Sequence, residues 1–205
     1  MKKRKALLAL LMLLVLAGCG APASAGPAEA GSPGTETMKA AMVEEEPRPL
    51  TQAEVLSAYE RAVTVYGWFD LDPLPCGQEQ ETVDGWPYRK VDYPGIEDLA
   101  DLRAYLRVVF SPDLTERLLS RGERPMYRDV DGALYAAAGT GRSRESDKGA
   151  VEVTVERDGE SAYSVEVTVE LLDSAHSTVI GVECYSFPYE FVEGGWVFTD
   201  FQMVY

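Results

Sequence analysis

The chain has one histidine and three cysteines in 205 residues, and its 19 lysines and arginines stand against 34 aspartates and glutamates. So little basic charge argues against a nucleic-acid binder, which has to neutralise phosphates along its footprint. Any Ser-His-Asp or Cys-His site would have to use His176, which sits between Ser174 and Ser177 in a predicted turn. No Gly-x-Ser-x-Gly elbow accompanies it. One histidine with Cys76 and Cys184 does not make the usual zinc site, and the paired ligand spacings of such sites are absent. Thirty-four acids bring carboxylates together by chance, so pairing alone is no mark of glycoside cleavage. These shortages point to a protein without catalytic machinery, cofactor or metal. Long apolar runs are also missing. The longest, Ala6 to Ala17, has 12 residues, against the roughly 20 needed to cross a bilayer.

That run follows Met1-Lys2-Lys3-Arg4-Lys5 and ends in Leu16-Ala17-Gly18-Cys19. A basic start, a short apolar core and small residues before a cysteine resemble a bacterial lipoprotein signal. The expectation is removal of residues 1–18 and diacylglycerol on Cys19, with an uncleaved signal anchor or a secretory cleavage at Ala23 or Ala25 as the alternatives. Two acyl chains hold a protein stably at a membrane. The signal carries four of the 19 basic residues and no acid, which leaves 15 against 34 and a net charge of −19. A surface so acidic is repelled by anionic lipid, so membrane contact falls to the anchor alone. Gly20 to Pro49 is rich in Ala, Pro, Gly, Ser and Glu, with little to bury. Residues 19–49 therefore read as a lipidated, disordered tether, and residues 50–205 as a single domain outside the cytoplasm. Export permits a Cys76–Cys184 disulfide, but two cysteines are no framework. Two separate thiols, with Cys184 in a strand core, is the preferred reading.

Within the domain, Val55, Ala58, Tyr59, Ala62, Val63 and Tyr66 share one helical stripe, started by a Thr51/Glu54 capping box and ending near Gly67. A short strand pair is predicted around Asp84-Gly85, carrying Trp86, Tyr88 and Val91. Ile96, Leu99, Leu102, Leu106 and Val109 predict a second helix over Ile96 to Phe110, with acids early and arginines late. Ser111-Pro112 predicts an N-cap and a third helix to about Ser120, stopped by Gly122. From Met126 the period becomes alternating, with turn signals at Asp131-Gly132, Asp158-Gly159 and Gly194-Gly195. The fold class is α+β: N-terminal helices followed by a curved antiparallel sheet. This architecture resembles the cystatin-like or nuclear-transport-factor-like cone, with the aromatic segment from Thr178 to Tyr205 forming the far side of the core.

In one hairpin the faces constrain the register. A three-residue loop at Asp158-Gly159-Glu160 pairs Val155 with Tyr163, Val153 with Val165 and Val151 with Val167, all on one buried face. The opposite face then carries Glu152 and Glu166 against each other, a solvated surface or a place for a cation or partner. In the Met126 to Ala138 hairpin, a two-residue Asp131-Gly132 loop brings Arg124 near Gly139 and Arg121 near Arg142. Arg144 and Lys148 follow in Gly139 to Gly149, a polar loop. Arg121, Arg124, Arg128, Arg142, Arg144 and Lys148 are thus candidate partner-binding residues on an acidic domain, toward carboxylates or phosphates. The alternative is a solvated loop neutralised by Glu145 and Asp147.

The order Gly67-Trp68-Phe69, then Trp86-Pro87-Tyr88-Arg89-Lys90-Val91, then Asp98-Leu99 through Arg103-Ala104-Tyr105-Leu106 to Phe110-Ser111, then Tyr127-Arg128-Asp129-Val130-Asp131-Gly132-Ala133-Leu134-Tyr135, resembles the IseA-type inhibitors of cell-wall D,L-endopeptidases. The resemblance covers roughly Thr51 to Gly149. It implies an exported, non-enzymatic protein whose partner is the catalytic domain of a cysteine-type cell-wall hydrolase, and which blocks that enzyme's cleft. No inhibitory residue is carried over, and the lipobox departs from a freely secreted inhibitor. The competing expectations are a small-ligand-binding lipoprotein, using an aromatic-lined concave side of the cone, and a scaffold for other wall proteins.

Overall fold

A computed structural model describes residues 46–139, 143, 145 and 147–204. The lipobox, Cys19 and most of the tether lie outside the described residues. So do Arg142 and Arg144.

Thr51 starts helix α1, Gln52–Asp70, through the predicted capping box: its Oγ1 accepts from the Glu54 N–H at 3.3 Å, and Glu54 Oε2 accepts from the Thr51 N–H at 2.8 Å. The helix runs one turn past its predicted end. Gly67 costs helix stability by about 1 kcal/mol, but continuing through it buries Trp68 and Phe69. Helix α2, Leu99–Arg107, is shorter at both ends than the predicted Ile96 to Phe110. Ile96 belongs to a turn closed on Tyr93, and Val109 and Phe110 leave the helix to lie beside the last strand. Ser111 caps α3, Pro112–Leu119, as predicted, and Gly122 follows at φ +76°.

The fold is α+β with antiparallel sheets. In place of one sheet after the helices there are two of four strands each, and the helices are interleaved with the first. Strands β1 (Cys76–Val83), β2 (Trp86–Val91), β3 (Tyr127–Val130) and β4 (Ala133–Ala137) form a sheet in the order β1-β2-β4-β3. Strands β5 (Lys148–Arg157), β6 (Ala162–Leu172), β7 (Val179–Val192) and β8 (Gly195–Phe198) form a second, in the order β5-β6-β7-β8. The predicted Asp131-Gly132 turn holds, with Val130 opposite Ala133.

The β5–β6 register differs from expectation by two residues. Val155 faces Val165, Val153 faces Val167 and Val151 faces Val169, so the loop is 159–161. The odd-numbered valines keep the inward face because a shift of two preserves every side chain's face, but Val151 is half exposed there and not buried as expected. The outer face changes partners: Glu152 lies opposite Thr168, and Glu166 opposite Thr154 and Ser186, so the two glutamates do not oppose each other.

Aromatic rings fill the concave side of the second sheet beneath α1. Phe201 lies 4.7 Å from Phe187, 5.8 Å from Tyr59 and 5.5 Å from Tyr66, measured between ring centroids. Both remaining cysteines are free thiols. Cys184 is exposed on the outer face of β7 opposite Thr168, and so does not occupy the strand core expected of it.

Candidate functional site

Strand alternation puts Trp86, Tyr88 and Lys90 on one face of β2, beside Ala137 and Tyr135 of β4. Tyr88, Tyr135 and Ala137, with Val83, Met126, Val130 and Ala133 packed against them, make a second, small apolar cluster on the first sheet. Two tyrosine hydroxyls tie it down. Tyr88 donates to Pro125 O at 2.9 Å, and Tyr135 donates to Glu79 Oε1 at 2.8 Å. The Glu79 carboxylate, accepting from the neutral hydroxyl, pushes the ionisation of Tyr135 up to about 12. In return the Tyr135 hydroxyl, with Lys90 at 3.2 Å, holds Glu79 below the usual carboxylate range.

Over this cluster lies Arg124. Its Nη2 donates to Pro87 O at 2.8 Å and to Ala138 O at 3.4 Å, and its guanidinium carbon sits 4.9 Å from the Trp86 ring centroid and 5.2 Å from that of Tyr88. A guanidinium over two aromatic faces is a cation–π arrangement. Trp86, at the tip of the β1–β2 hairpin, remains 54% exposed. Beside it Arg128 reaches Asp84 at 3.3 Å. The patch therefore offers an exposed indole, a fixed guanidinium and a second arginine with an exposed, exchangeable partner. Arg124 also reaches Ala138, next to Gly139, as the hairpin register predicts. The segment expected as a polar loop follows, partly outside the described residues, and its last two residues, Lys148 and Gly149, belong to β5 and not to a loop.

The remaining predicted residues lie elsewhere. Arg121 pairs with Asp70 at 3.4 Å, at the end of α1. Lys148 is nearly buried against Glu183 at 2.5 Å, with Glu145 at 3.6 Å. Trp86 was legible only as an apolar strand member. Its place directly after the Asp84-Gly85 turn was the available signal, because a hairpin tip has few neighbours to cover a large ring.

Other chemistry-bearing groups have local partners. His176 sits in the Asp173 to Thr178 turn at φ +54°, its N–H bonded to Asp173 O. Cys76 contacts Leu74 O, and burial pushes its thiol up, away from thiolate character. Among the described residues no three His, Cys, Asp or Glu side chains converge to hold a metal ion, and no helix is long and apolar enough to cross a membrane. No protein-family model matches the chain, and no curated protein is similar to it.

Proposed function

We propose that this chain is an exported lipoprotein, held at the outer side of the bacterial cell membrane through diacylglyceryl Cys19, that inhibits cysteine-type peptidoglycan D,L-endopeptidases by blocking their active-site cleft. It is not itself an enzyme on this reading. The observation that carries the proposal is the exposed Trp86 held beside Arg124 on the first sheet, with Arg128 paired to nearby Asp84. Tryptophan, tyrosine and arginine dominate the binding energy of protein interfaces when centred in a patch. Arg124 is already fixed by two carbonyls, so little side-chain freedom is lost on docking.

The segments that carry the family resemblance meet around this sheet, which supports the reading. Strands β2 and β4 pair directly, Leu134 N–H bonds Glu97 O just before α2, and the Tyr127 hydroxyl bonds Trp68 O. The ligand-binding alternative would need space on the concave side, where Tyr59, Phe187 and Phe201 stand.

The test is peptidoglycan hydrolysis by a D,L-endopeptidase catalytic domain, with and without residues 20–205 of this chain, which hold the whole core. Stoichiometric loss of activity is expected. Trp86→Ala should weaken inhibition about 30-fold, the effect of losing about 2 kcal/mol at a central aromatic, with an unchanged unfolding midpoint. Charge reversal at Arg142 and Arg144 without effect would remove the loop from the contact. No inhibition of several such hydrolases would sink the proposal in favour of a ligand-binding or scaffold lipoprotein.

A further inference from the structure

Among the described residues, strand β5 is an edge of the second sheet, paired only with β6. Asp158 N–H bonds Ala162 O at 3.0 Å, which marks 158 and 162 as a hydrogen-bonded pair. By antiparallel alternation, the even residues from Glu152 to Glu156 then turn their backbone groups toward β6, while a bulge between Lys148 and Val151 resets the pattern at the start of the strand. Val151, Val153 and Val155 turn theirs outward, leaving a row of N–H and C=O groups along the edge. Their side chains point inward, and there the sheet does not close against the helix. An apolar groove of about 300 Å³ lies between Tyr59 and Val63 of α1, Val151 of β5, and Met203. Val151 is half exposed in it.

On the outer face beside the same edge stand Glu152 and Glu156 of β5, with Glu166 and Glu170 of β6 behind them. From Glu152 to Glu156, and from Ser164 to Glu170, that face holds no lysine or arginine. A second copy would bring its own Glu152 and Glu156 to this edge, adding like charge in a chain of net charge −15. A strand whose outward side chains are basic suits the edge, and alternate apolar side chains suit the groove.

We infer that β5 is a docking edge for an extended segment of a partner protein with alternating basic and apolar residues, which adds as a further strand to the sheet. Its main-chain groups pair with Val151, Val153 and Val155, its apolar side chains enter the groove over Met203, and its basic ones face Glu152 and Glu156. This is the strand-addition mode, in which the backbone supplies affinity and alternate side chains supply selectivity. It does not depend on the hydrolase reading.

The probe is an acetylated, amidated heptapeptide of four lysines alternating with three valines, compared with a block isomer that has all its lysines first. Titrated into residues 20–205, the alternating peptide should bind at least tenfold tighter than the isomer and weaken as salt is raised. Hydrogen exchange should slow at the amides of Val151, Val153 and Val155. Val153→Pro removes one outward N–H without touching the β5–β6 ladder, a position where an edge strand tolerates proline, and should cost at least tenfold in binding. If that variant fails to fold, N-methylation of alternate peptide residues gives the same test from the other side. Equal binding of the two isomers would overturn the inference, as would unchanged exchange at the three valines. So would protection of those amides before peptide is added, either in a dimer, where a second copy holds the edge, or in a monomer, where the chain's own residues cover it.

Discussion

Tyr127 shows how much one side chain holds in this domain. Its hydroxyl accepts from the Leu74 N–H at 2.9 Å and donates to Trp68 O at 3.1 Å, while its ring meets Phe69 edge-on at 5.2 Å. It joins the end of α1, the Pro-containing segment that follows, and β3. Burial pushes its ionisation well above the ordinary tyrosine range. Tyr127→Phe keeps the ring but leaves a buried N–H and a buried carbonyl without that partner, so urea unfolding should show a loss of about 2–3 kcal/mol. A loss below about 0.5 kcal/mol would mean that water or a shifted backbone replaces the hydroxyl. From sequence Tyr127 is one tyrosine among eleven. Its partners are about 50 residues away or more and come together only through the fold.

Among the elements, the β5–β6 hairpin separates what pattern can specify from what it cannot. Alternation decides which residues face the core, and any register shifted by two residues satisfies it equally. Turn geometry chooses between them. Gly159 at φ +146° and the Arg157 Nε bond to Gly159 O at 2.7 Å go with a loop over 159–161. Cysteines placed at Thr154 and Glu166, directly opposite in a hydrogen-bonded pair, have the ~5.5 Å Cα separation a disulfide prefers. In a Cys184→Ser background that pair should oxidise readily, and a Glu152/Glu166 cysteine pair should not. A mass-spectrometric disulfide assay reads the difference, and the reverse result would restore the other register. The helix ends obey a similar rule. Phe110 keeps the helical period of α2 because it is buried in the same core, yet its neighbours Val109 and Ser111 bond Phe198 instead of continuing the helix.

For the whole molecule, acid and alkali test different contacts. The Arg48 guanidinium, at 2.6 Å, and then the Thr51 backbone and hydroxyl hold Glu54 at a pKa of about 2. A carboxylate depressed in the folded state contributes stability above its unfolded pKa of about 4.3, and that contribution fades as pH falls toward 2. The unfolding midpoint of the native chain should therefore exceed that of Glu54→Gln by a constant margin from pH 8 to about 5, and the margin should shrink below about 4.5. Comparing the two cancels the general repulsion of an acidic chain. At the other end Tyr127 and Tyr135 are raised in the folded state, so their contribution is complete below about pH 10 and falls above it, that of Tyr135 being lost as pH rises toward 12. Tyr135→Phe should flatten part of that alkaline fall in a thermal melt.

The sequence by itself determined the class of fold, the capped start of α1, the Ser111 cap, the Asp131-Gly132 hairpin and the core face of every strand in the valine hairpin. These follow from periodicity and local hydrogen bonding, which act over a few residues. The lipobox reading and the family resemblance are also sequence statements, and neither depends on the fold. Tertiary structure decided where α1 ends, since burying Trp68 and Phe69 outweighs one glycine. It split the expected sheet in two, exposed Cys184, drew Arg121 to Asp70 and Lys148 to Glu183, and left Trp86 uncovered beside Arg124. Each of these turns on which distant surfaces meet, and burial and pairing across the fold outweigh the local preferences that a sequence displays.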